Sequence, residues 1–142
     1  MPPSNSRTLQ IVTEIEAMLC EVARLQKDYV AKICPECADP CCKRVHYLFC
    51  EKDILFLKLS GRRARWSRQA LKSRGCWFLG PGGCILDPES RPFICHRYIC
   101  PDLEKEMKKD DPGLLTALHQ KFRAIDEMRG QMWAEYLNET VR

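Results

Sequence analysis

Residues 8–33 read TLQIVTEIEAMLCEVARLQKDYVAKI. Apolar side chains recur at Val12, Ile15, Leu19, Val22, Tyr29, Val30 and Ile33, and Leu9, Met18 and Leu25 widen the stripe. Steps of three and four put these residues on one face, so the stretch predicts one long amphipathic helix, with Gln26 as a break in its apolar face. Cys20, midway along it, reads as a buried apolar thiol. Residues 1–6 are polar and Pro-rich and are expected to fray. Pro35 fits a helix that ends near Ile33.

Immediately beyond that helix comes CPECADPCC, residues 34–42, with four cysteines in nine positions. The whole chain of 142 residues carries ten. Disulfides need an oxidising compartment, and adjacent cysteines pair poorly with each other because the ring they close is strained. The first ten residues lack the basic and apolar regions of a secretory signal, and no apolar run is long enough to span a membrane. A cytoplasmic protein without a membrane segment is therefore expected, in which clustered thiols are better read as metal ligands than as a disulfide framework. The formal charge of +4 then misleads, since eight thiolates around two zinc ions would cancel it.

Farther along, Val45 to Phe49 reads as a short strand. Residues 50–60, CEKDILFLKLS, start a helix with Cys50 at the N-cap position and Asp53 three residues later, as in a capping box. That helix is expected to run on to about Arg74 unless Gly61 breaks it. Cys76 to Leu79 and Cys84 to Leu86 flank Gly80-Pro81-Gly82-Gly83, a hairpin signal. Asp87 to Pro92 makes a second turn, and Phe93 to Cys100 a helical turn or loop. Pro101 opens another helix, with Asp102 and Glu104 suited to its positive end. After Asp110-Asp111-Pro112-Gly113, a last helix carries Leu114, Leu115, Leu118, Phe122, Ile125, Met128, Met132, Trp133, Tyr136 and Leu137 as core. The expected architecture is a single domain, 1–142, mainly α with a small β-hairpin. Its Cys-rich, metal-centred core (residues 34–100) is flanked by long N- and C-terminal helices at 8–33 and 101–140.

Eight cysteines form two groups: Cys34, Cys37, Cys41 and Cys42, then Cys76, Cys84, Cys95 and Cys100. Short spacings let one loop present two sulfurs to an ion. Four thiolates suit zinc in a closed tetrahedral site or an iron–sulfur cluster. In an extended chain neighbouring side chains point apart, so Cys41 and Cys42 are expected to serve different sites, or one of them not to be a ligand, and the two groups to interleave if two metals bind. With metal as the organiser of a small core, a chelator is expected to unfold the chain.

CPECADPCC, Asp53-Ile54, Cys76, CILDPESRP and RPFICHRYIC, in that order, resemble the YkgJ-type cysteine-cluster family, a zinc- or iron-chelating domain. The resemblance covers roughly residues 34–100 and implies a metal- or cluster-binding role. Here three residues, not two, precede the cysteine pair, and His96 stands where the family usually has arginine. His96 thereby becomes an alternative ligand. Some relatives of that family are linked to protein methylation, but no nucleotide-binding loop is legible in this chain.

Three functions follow as expectations: a protein holding zinc or iron through cysteine thiolates, an iron–sulfur redox or enzyme-associated protein, or a zinc-stabilised nucleic-acid module. The third would use the basic run between Arg62 and Arg74, which reads more simply as a solvated helix face. No catalytic triad, paired acid and base, or HExxH motif is present. Cys50 and Asp53 read as capping residues, Arg91 as a turn residue bonding backbone carbonyls, and His46 and His119 as uninvolved.

Overall fold

A computed structural model describes residues 6–33, 49–60, 67–80, 83–84, 86 and 91–140, with backbone alone at 79–80 and 83–84. Six helices lie among the described residues: α1 (Arg7–Ile33), α2 (Glu51–Leu59), α3 (Arg68–Arg74), α4 (Phe93–Arg97), α5 (Pro101–Asp110) and α6 (Leu114–Thr140). The longest interface joins α1 to α6. They run antiparallel, since Thr8 meets Glu139 at one end while Glu21 meets Lys121 farther along. α5 packs against both, and α2 and α4 lie against the same pair.

The stripe read from α1 is buried as expected at Val12, Ile15, Leu19 and Val22, and Ile11, which that reading does not include, is buried with them. It meets Leu114, Leu115, Leu118, Phe122, Ile125 and Met132 of α6, Leu103 and Met107 of α5, Leu55 and Phe56 of α2, and Phe93 of α4. This is one contiguous helical core, of the kind that hydrophobic burial alone can hold together.

That core corrects the expected architecture. Among the described residues the fold is helical rather than mixed, apart from one two-residue strand pair, and their main core is aliphatic and aromatic rather than a cysteine cluster. The anticipated hairpin does not form a sheet layer. Leu79–Gly80 and Gly83–Cys84 pair antiparallel over two residues a side, too few to present a face on which a core could pack. One of its two pairs joins Gly80 to Gly83, which carry no side chains to pack. A second, smaller cluster of four buried residues, Leu57, Cys76, Phe78 and Leu86, lies beside the main core, with Phe49 and Trp77 against it. The strand expected at 45–49 falls almost wholly outside the described residues.

The helix termini follow local chemistry. Ser67 accepts the Ala70 N–H at 3.1 Å to start α3, and Gly75, at φ 88°, closes it in a left-handed turn that favours glycine. Pro101 occupies the first turn of α5 as expected. Ser6 is buried and accepts the Leu9 N–H at 3.0 Å, so it caps α1 instead of fraying. Glu139, from the far end of α6, accepts both the Thr8 N–H (3.3 Å) and the Thr8 hydroxyl (2.9 Å). A carboxylate on the positive end of another helix is favourable. Glu139→Ala should lower the unfolding free energy by about 1–2 kcal/mol, read by urea denaturation. A loss within error would mean water replaces the carboxylate.

Surface ion pairs stitch the helices from outside. Lys32 meets Glu106 at 2.9 Å and Lys121 meets Glu21 at 2.6 Å. Hydrogen bonding to Lys32 lowers the pKa of Glu106, the same bond raises that of Lys32, and the Lys121 ammonium lowers that of Glu21. The Tyr29 hydroxyl donates to Asp110 at 2.8 Å, and that bond raises its pKa. The lowered carboxylates stabilise the fold above their unfolded pKa, about 4.3, and that contribution goes as pH falls through the folded values. The raised Lys32 and Tyr29 contribute below about pH 10 and are lost as pH climbs through theirs. The contribution of these four groups to stability should therefore be flat from about pH 5 to 10 and fall on both sides. Lys32→Gln should show a smaller drop between pH 5 and pH 3 than the parent, and added salt should shrink the difference. Parallel curves would rule the pair out as a contributor.

Candidate metal centre and its anchors

The expected ligands are distributed unevenly. Cys34, Cys37, Cys41 and Cys42 lie outside the described residues, as does the side chain of Cys84. Cys76 is buried in the smaller cluster, Cys95 is half-buried within α4, and Cys100 is the N-cap of α5. The Cys100 sulfur accepts the Leu103 N–H at 3.5 Å, which sets it at the positive end of that helix. Among the described residues, no three His, Cys, Asp or Glu side chains converge closely enough to hold an ion. The predicted donors are all sulfur, a set that suits zinc or iron and not the oxygen-seeking calcium or magnesium.

The other residues singled out in the sequence can be placed. Cys20 is exposed rather than buried, because it sits about a hundred degrees around the helix from Leu19 and off the apolar stripe. Arg91 donates from Nε to the Leu86 carbonyl at 3.1 Å, the turn role anticipated for it. His96 is buried in α4. His119 is exposed and lies edge-on to Phe122. In the basic run, residues 62–66 lie outside the described part, while Arg68 and Lys72 are exposed on α3.

The expected capping box forms at α2. Asp53 Oδ2 accepts the Cys50 N–H at 2.9 Å, and the Cys50 thiol donates to the same oxygen at 3.3 Å. What the sequence reading missed is the partner of Asp53. This carboxylate is only 1% exposed, and Arg129 of α6 donates to its Oδ1 from Nη2 at 3.1 Å. The same nitrogen lies 3.5 Å from Cys50 Sγ, and Nη1 holds Asp126 at 2.7 Å. The guanidinium also lies over the Phe93 ring, with Cζ 4.6 Å from its centroid, and Phe93 stands edge-on to Phe122. A flat cation with several donors can satisfy a carboxylate and stack on an aromatic face at once, which lysine cannot.

A signal for Arg129 was present in the register. It falls four after Ile125 and three before Met132, a core-facing position on α6. Gln26 is its counterpart on α1, four after Val22. It is buried, and its Nε2 donates to the His96 carbonyl at 3.2 Å. The break in the α1 stripe is therefore a fastening point. Gln26 and Arg129 each break the apolar face of a long helix, and they hold short helices of the cysteine-bearing region: Gln26 holds α4, and Arg129 holds α2 and α4.

No family model, curated protein or solved structure matches this chain. No helix among the described residues is long and apolar enough to cross a membrane.

Proposed function

We propose that the protein binds zinc or iron through clustered cysteine thiolates of residues 34–100. The observation that carries this reading is the concentration of cysteines in the stretch of chain between α1 and α5. The bundle of α1, α5 and α6 has an extensive core of its own. The intervening region contributes Leu55, Phe56 and Phe93 to that core, and among the described residues its own cluster holds four buried side chains, one of them Cys76. Eight of the ten cysteines lie in the two groups of this region. If metal is bound, the thiolates supply negative charge that the ion neutralises, and the positions of Cys95 within α4 and of Cys100 at the N-cap of α5 limit where those sulfurs sit.

Anaerobic purification followed by elemental analysis and an absorption spectrum of the same sample tests this. Zinc or iron near stoichiometry with the chain is expected. Zinc without visible absorption means a chelating or structural site, while iron with sulfide and a broad visible band means a cluster and redox chemistry. A chain purified without metal, its cysteines in disulfides, would overturn the reading.

A further inference from the structure

We propose that Arg129 latches α2 and α4 into one cover over the α1–α6 pair, so that the two short helices open together and not singly. Each rests on both long helices, and neither packs broadly on the other among the described residues. Burial of Leu55 and Phe56 would hold α2 by itself. Burial of Phe93, with the Gln26 bond to the His96 carbonyl, would hold α4 by itself. One guanidinium joins them, by a 3.1 Å bond to Asp53 of α2 and by its stack 4.6 Å from the centroid of Phe93 of α4. Segments forty positions apart in sequence thereby share one planar group.

Sharing the group makes each contact depend on the other. An arginine side chain free to rotate loses much rotamer freedom when it settles on a ring. Here Asp53 holds Nη2 and Asp126 holds Nη1, so the plane that faces Phe93 is already set. The ring in turn covers the largely buried guanidinium and keeps water from competing for its bond to Asp53. Removing Asp53 should then loosen α4, to which it does not belong, and removing the ring should loosen α2. Neither consequence follows if each helix is held by its own burial. When both lift, the apolar surface of α1 and α6 beneath Leu55, Phe56 and Phe93 is bared, so the latch decides between a closed bundle and one that exposes that surface.

Hydrogen exchange of single amides, followed by NMR on the full chain, tests this. The Ser60 N–H donates to the Phe56 carbonyl at 2.8 Å and reports on α2, while the Tyr98 N–H donates to the Ile94 carbonyl at 3.3 Å and reports on α4. Asp53→Ala removes the anchor on α2 and should speed exchange at Tyr98 as well as at Ser60, by about tenfold, within the range of couplings between residues of one network. Phe93→Leu keeps an apolar side chain but no ring face, and should speed Ser60 as well as Tyr98 to a similar extent. Amides at the centre of α1, around Leu19, should keep the parent rate in both variants. If one variant does not fold, the other decides the matter by itself. Acceleration confined to the helix that carries the substitution overturns the inference. So does acceleration of the α1 amides by the same factor, which would mean that the whole bundle loosens and no separate cover exists.

Discussion

Arg129→Met should cost about 3–5 kcal/mol of unfolding free energy in urea denaturation, because it strands the Asp53 carboxylate in the interior. Asp53 is 1% exposed and the Arg129 side chain 12%, so water cannot take over the missing cation. The Cys50 N–H and thiol would remain as donors to Oδ2, but neither carries charge. Methionine fills much of the arginine volume, so the loss reports the charge and the stacking on Phe93 more than a cavity. Asp53→Asn should cost less, since it leaves an acceptor for the Cys50 N–H and no uncompensated anion. Combining the two substitutions should cost clearly less than the sum of the single losses, the mark of a direct pair. A loss for Arg129→Met below about 1 kcal/mol would place the pair with ordinary surface salt bridges and refute the buried-pair account.

If zinc or iron is bound as proposed, removing it should have the largest effect of all, and an unequal one. Binding free energies for structural zinc in small domains are about 10–16 kcal/mol, more than the whole stability of most domains. The sequence alone predicts that a chelator unfolds the chain. The separate bundle core changes the expected result: α1, α5 and α6 should keep their helical signal and a cooperative melt. The smaller cluster around Leu57, Cys76, Phe78 and Leu86 should come apart. Limited proteolysis after chelation should then cut first between residues 34 and 90, while α1 and α6 persist. Trp77 fluorescence should shift to the red as its surroundings open. If elemental analysis confirms metal loss yet cleavage and melting are unchanged, the metal is cargo and the region is held by other means.

Periodicity made the two long helices legible. Steps of three and four along 8–33 and 114–137 leave one reading, and the burial of Ile15, Leu19, Leu118 and Ile125 follows it. Local chemistry also travelled well, since a cap, an N1 proline or a turn arginine acts on neighbours a few residues away. The Asp53 cap, the Pro101 start and the Arg91 bond are of this kind. Cys20 shows the limit of residue-type arguments: cysteine is often buried, but one step off the stripe turns a side chain to solvent.

By itself, then, the sequence determined the helical flanks, the caps, and a density of thiols that points toward metal. Tertiary structure alone decided where the centre of the molecule lies. Composition drew attention to the cysteines, yet the core forms where the long apolar faces of α1 and α6 can bury most surface, with α5 closing over them. It alone also decided what Gln26 and Arg129 are for. Each looks like a flaw in an apolar stripe, because its partner lies 70 or more positions away and is unknown until the chain has folded. A buried polar group needs a partner, and in this protein those partners tie the cysteine-bearing helices to the bundle.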